Sequence, residues 1–189
     1  PERAALAREG GWWLDKTAGD FAEEIAAREP NRILVIDGVR SLDAATLLRE
    51  AKTLARGFVK RGFKPGDVVS MMLPNWHEST VVALAAGLAG VVLHPVVTGY
   101  REAEMTFMLG DCDSRMIFVP EVFRGFDFAA MMRAVSEQLG NPPEIVVVRG
   151  RRGEFTPYEK MFGEDVAGVA LPKVDPDSVK ILIYTSGTT

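Results

Sequence analysis

At 189 residues the chain is long enough for one substantial core, and its 47% hydrophobic and 25% charged composition is that of an ordinary soluble globular protein. The formal net charge of −4 gives no basis for nucleic-acid binding, and a single cysteine (Cys112) with only two histidines (His77, His94) excludes an intrachain disulfide and any Cys- or His-rich metal cluster. The longest apolar run, residues 81–93, is shorter than the ~20 residues of a bilayer span and reads as a buried helix passing into a strand. The opening PERAALAREG has no apolar core, so no secretory signal is expected, and the lone cysteine fits a reducing, cytoplasmic setting.

Residues 11–14 (GWWL) form an aromatic cluster expected to pack on the domain as a lid. Thr17 followed by Asp20 marks a helix start, with Phe21, Ile25 and Ala26 on the apolar side and Pro30-Asn31 at the end. Residues 32–37 (RILVID) read as a strand, and Asp37-Gly38 as a tight turn into a second short strand. Ser41 or Asp43 can cap the next helix, whose Leu47, Leu48, Ala51, Leu54, Ala55 and Phe58 recur at helical spacing before Gly62 closes it.

From there a unit repeats. Strands are predicted at 68–72, 91–93, 115–119 and 145–148, with helices from Pro74-Asn75 to about Gly90, over 101–109 and over 128–139. Short, unalternating strands separated by helices predict an α/β fold, a largely parallel sheet with helices on both faces. The turn at 150–153 (GRRG) is read as solvated surface. Asp175-Pro176-Asp177 feeds a last strand, where Ile181-Leu182-Ile183-Tyr184 has the continuous apolar pattern of a strand buried on both faces.

That strand breaks into Thr185-Ser186-Gly187-Thr188-Thr189. Glycine lets the backbone turn inward, and amides and hydroxyls together can surround an anion with several oxygens, above all a polyphosphate. Neither GxxxxGK[ST] nor GxGxxG is present. On spacing alone, an ordinary polar turn is the better account, and its small residues predict a mobile loop after an ordered strand.

YTSGTT at 184–189 resembles the first half of the phosphate-loop signature of the adenylate-forming superfamily. Its members include acyl- and aryl-CoA synthetases, peptide-synthetase adenylation domains and luciferases. FKPGD and VVSMMLPN (63–75), the unit at 101–119 and His94-Pro95, which stands where members have Asn-Pro, resemble the family in order and spacing. LPNW, YREAEMTFML and FRGFDFAAMM are similar to the branch of cyclohexanecarboxylate-CoA and short- to medium-chain fatty acyl-CoA ligases.

The resemblance implies that residues 1–189 are the N-terminal portion of an AMP-binding domain, ending within the phosphate loop. The catalytic groups, including a lysine, would then lie downstream. It implies an acid-CoA ligase using ATP, Mg²⁺ and CoA. Thr185, Ser186, Gly187, Thr188 and Thr189 would bind the nucleotide, with no catalytic or metal residue assigned. A small carboxylic acid would be the partner, with homodimerisation open. The alternatives are a carrier-protein adenylation domain and a non-catalytic nucleotide- or partner-binding α/β module. Elsewhere, His94 reads as a hydrogen-bonded structural histidine, His77 as surface, Asn75 as a helix cap and Cys112 as chemically idle.

Overall fold

The computed structural model describes residues 2–151, 153–163 and 165–185. Helix α1 (Glu2–Glu9) precedes α2 (Ala18–Arg28). Thr17 starts α2 as expected, through a reciprocal cap. Its hydroxyl accepts from the Asp20 amide at 3.2 Å, and the Asp20 carboxylate accepts from the Thr17 amide at 2.6 Å. Strands β1 (Ile33–Ile36) and β2 (Ser41–Asp43) form an antiparallel hairpin that turns at Gly38. Of the two candidate caps for helix α3 (Ala44–Lys60), Asp43 is the one that works, accepting from the Thr46 amide at 2.8 Å.

Next come β3 (Val68–Met71), α4 (His77–Ala89), β4 (Val92–Pro95), α5 (Glu102–Asp111) and β5 (Met116–Pro120). A two-stranded hairpin, β6 (Val122–Phe123) with β7 (Phe126–Asp127), leads into α6 (Phe128–Gln138), β8 (Glu144–Val148), β9 (Thr156–Pro157) and a 3₁₀ turn at Tyr158–Phe162. The five-stranded sheet has the order β4-β3-β5-β8-β9, and every pairing in it is parallel. The predicted strands and helices of the repeating unit are all present, and the α/β reading is correct.

The unalternating sequence of these strands has a direct cause. All five residues of β5 are buried, with Met116 and Phe118 facing the core formed with α3 and α4. Ile117 and Val119 face the core formed with α5 and α6. A strand covered on both sides has no solvent face to mark with polar residues. Starting from β3, the chain moves outward to β4, then returns past β3 to β5 and β8. That reversal puts α4 on one face and α5 and α6 on the other.

Helix α4 ends on Gly90 in the left-handed region, at φ 70°. Cβ atoms there are strained by the backbone, and one built at Gly90 would also stand 3.2 Å from Pro65 Cβ. Gly90→Ala is therefore expected to destabilise the protein by about 1–2 kcal/mol, read as a lower urea midpoint at unchanged slope.

Two of the expectations for the fold need correction, and three short features were not foreseen. Trp12 is 86% exposed and Trp13 and Leu14 are also exposed, so GWWL is no packed lid; the Trp13 ring lies under the Arg8 guanidinium at 5.0 Å. The hairpin β6–β7, strand β9 and the 3₁₀ turn were not foreseen, being two to five residues long with no periodicity to read. Residues 181–184 are not a strand buried on both faces. They lie along the outer edge of β4, with one parallel bridge between Leu93 and Ile181, and Val179, Ile181 and Ile183 are exposed. The apolar run was read correctly as sheet-seeking, but among the described residues no element covers its outer side.

Candidate functional site

The point where strand order reverses is β3, and the loops leaving β3, β4 and β5 diverge there. Divergence opens a crevice at the carboxyl ends of the strands, the place where doubly wound sheets bind ligands. A cavity of about 590 Å³ occupies it, lined among others by Met71 and Asn75 after β3, Val96 and Thr98 after β4, Phe123 from β6, and Ile183. Apolar side chains predominate, with the Asn75 amide, the Ser79 and Thr98 hydroxyls and the Arg124 guanidinium among them. Asn75 belongs to this wall and not to a helix cap, because α4 begins at His77 with Trp76 in the cap position.

Ile183 brings the last stretch of chain to the same crevice. Of the predicted nucleotide-binding residues, Thr185 is described and exposed, two positions beyond Ile183. Ser186, Gly187, Thr188 and Thr189, and the expected mobility of their loop, lie outside the described residues.

Two polar networks support the crevice, and neither was evident from local patterns. Behind the Phe123 wall, Trp76 packs edge-on against the Phe123 ring at 5.8 Å, and the Arg149 guanidinium lies 4.1 Å over Trp76. Arg149 donates to both Glu78 oxygens at 2.8 Å and to Asp37. The His77 ring donates from Nδ1 to Asp37 at 2.8 Å, since a carboxylate can only accept. His77 is thus buried, against the surface position expected for it. Burial pushes the Asp37 carboxyl up, but the amides of His77, Arg40 and Val39 and the His77 ring outweigh it and hold the group far below the usual carboxylate range. Asp37, His77 and Glu78 have ligand-type atoms within 4.8 Å of one another, as a metal site would. The guanidinium of Arg149 already supplies the cation there, bonded to both carboxylates, so this group does not fit a metal ion.

On the other face of the sheet, Ser70 and His94 are neighbours across β3 and β4. The Ser114 hydroxyl donates to the Met116 carbonyl at 3.0 Å, so it must accept from Ser70 at 2.8 Å. Ser70 has then used its proton and must accept from His94 Nδ1 at 2.9 Å. His94 is neutral, with its proton on Nδ1, and burial lowers its pKa to about 4. The structural role expected of His94 is the one found. Cys112 is half-buried near the same ring at 3.6 Å, and burial raises its thiol, which leaves it idle as read.

Fold and crevice together define a doubly wound α/β domain with a cavity at its switch point. The profile of the family described as AMP-binding enzyme matches residues 22–189, and the chain belongs to that family. It is 31% identical to a medium-chain fatty-acid–CoA ligase of Escherichia coli (strain K12), over 99% of this chain and 34% of the relative. It is 30% identical to a 2,3-dihydroxybenzoate-AMP ligase of Bacillus subtilis (strain 168), over 100% of this chain and 34% of the relative. The structure of MbtA from Mycobacterium smegmatis superposes with a TM-score of 0.84 at 27% identity, covering 99% of this chain and 34% of that one. The chain spans about a third of the length of these relatives.

Proposed function

We propose that the complete protein is an ATP-dependent acid-CoA ligase in which residues 1–189 supply one wall of the nucleotide and acid site. In the reaction, a carboxylate oxygen attacks the α-phosphorus of ATP and pyrophosphate leaves, giving an acyl-adenylate. The CoA thiolate then attacks the acyl carbon and AMP leaves. Thr185, Ser186, Gly187, Thr188 and Thr189 would hold the β- and γ-phosphates, so that the pyrophosphate departs in line with attack. The observation that carries this reading is that Ile183, two residues before Thr185, lines the switch-point crevice, within a chain that matches the family through Thr189.

Mg²⁺ would accompany ATP. The one candidate cluster found among the described residues, Asp37, His77 and Glu78, is filled by Arg149, so no metal ligand is assigned among them. A mixed apolar and polar crevice suits a fatty or alicyclic acid, in keeping with the medium-chain ligase relative. The similarity to a dihydroxybenzoate-AMP ligase and to a salicyl-AMP ligase/salicyl-S-ArCP synthetase of Mycobacterium tuberculosis supports a second reading, an aryl acid passed to a carrier protein.

Acid-dependent ATP–pyrophosphate exchange by the complete gene product, with octanoate, cyclohexanecarboxylate and salicylate, decides between them. Exchange with octanoate or cyclohexanecarboxylate, followed by thioester formation on CoA, is the expected result. Exchange with salicylate alone, without transfer to CoA, would favour the second reading. Thr188→Ala should slow adenylate formation and leave thioester formation from preformed adenylate unchanged; the reverse pattern would overturn the phosphate-loop assignment.

A further inference from the structure

The described backbone hydrogen bonds of the last stretch end at Leu182. Leu93 donates to the Lys180 carbonyl and Leu182 donates to the Leu93 carbonyl, each at 2.9 Å. Ile181 and Ile183 alternate outward and are exposed, Ile183 on the rim of the crevice. Tyr184, the residue immediately before Thr185, is held by its side chain instead. Its hydroxyl donates to Asp111 Oδ2 at 2.5 Å, at the end of α5. Its ring stands edge-on to His94 at 5.2 Å and to Phe107 at 6.1 Å.

These partners are themselves fixed. His94 cannot rotate without breaking the chain through Ser70 and Ser114 to the Met116 carbonyl, and Asp111 and Phe107 belong to the helix packed over that face of the sheet. We propose that Tyr184, clamped by Asp111 and His94, is a positioning residue for the nucleotide. It sets where the chain leaves β4 and so where the proposed phosphate-binding segment begins, at Thr185. The proposal rests on the ligase reading above.

A side chain that acts only on global stability would alter every step alike, whereas a clamp on the loop entry alters ATP use selectively. The test takes the complete gene product and its Tyr184→Phe, Asp111→Leu and double variants. Mg·ATP is titrated in acid-dependent pyrophosphate exchange, beside single-turnover transfer of preformed acyl-adenylate to its acceptor. Tyr184→Phe keeps the ring contacts and loses one charge-assisted hydrogen bond. It should raise the KM for ATP about tenfold, with the transfer step unchanged. Asp111→Leu should match it, and the double variant should be no worse than either single one, because all three lack the same bond.

Wild-type KM values in Tyr184→Phe would overturn the clamp while leaving the ligase reading intact. Equal losses in both half-reactions would also overturn it, by showing a merely structural role. Wild-type protein with no exchange on any acid would overturn the ligase reading, and the clamp with it.

Discussion

Arg149→Ala is expected to destabilise the protein by about 3–5 kcal/mol, the cost of leaving buried charges without their partner. The side chains of Asp37 and Glu78 are 1% and 7% exposed, and both accept from this one guanidinium. Removing it takes three N–H donors from this pair: Glu78 loses both of its bonds to the guanidinium, and Asp37, which keeps its bonds from His77, Val39 and Arg40, loses its cationic neighbour. It also removes the plane stacked on Trp76, whose other neighbour is the Phe123 wall of the crevice. With total stabilities of about 5–15 kcal/mol, such a loss takes the protein close to its unfolding threshold. Arg149→Lys keeps the charge but loses the fork and the stacking plane, so it should fall between the two. Urea titrations measure all three. A loss below ~1 kcal/mol for Arg149→Ala would show that the carboxylates reach solvent or other partners.

The second large effect is on acid stability and centres on His94. Its folded pKa lies at about 4 against an ordinary value near 6.5, because protonation would charge a buried ring whose Nδ1 already serves Ser70. Between those two values the unfolded chain binds a proton that the folded protein refuses. Stability is therefore full above pH ~6.5 and falls as the pH drops toward 4, by on the order of 3 kcal/mol over the window. The groups facing the ring are Ser70, the raised Cys112 thiol and Tyr184, whose phenol is pushed up by burial and by Asp111. None of them ionises in that range to offset the effect. His94→Asn, which puts in place the residue that the family resemblance expects, should flatten the slope of stability against pH between 6.5 and 4. An unchanged slope in that variant would assign the acid sensitivity to other groups.

The elements with a strong period or a chemical marker were legible from residues alone. Helix α3 repeats its apolar side chains over 17 residues, Thr17 and Asp20 spell a reciprocal cap, and the four long sheet strands are apolar runs bounded by turns. Period and capping are local physics, set within a few residues, and no tertiary contact is needed to read them. His94 was also read as a hydrogen-bonded structural histidine, and the structure supplies its partner, Ser70.

Only the tertiary structure decided what depends on residues far apart in the chain. The Asp37–Arg149 pair spans 112 positions and the Ser70–Ser114 pair 44, so no window along the sequence could join them. Asn75 and His77 were misplaced because cap propensity is weaker than the packing that starts α4 one turn later than Pro74 suggests. Residues 181–184 carry the pattern of a covered strand, but coverage is a property of neighbours, and β4 pairs with them on one side only among the described residues. Hydrophobic pattern records what a segment can bury. The strand order β4-β3-β5, fixed by how the helices divide between the two faces, settles where that burial occurs and where the crevice opens.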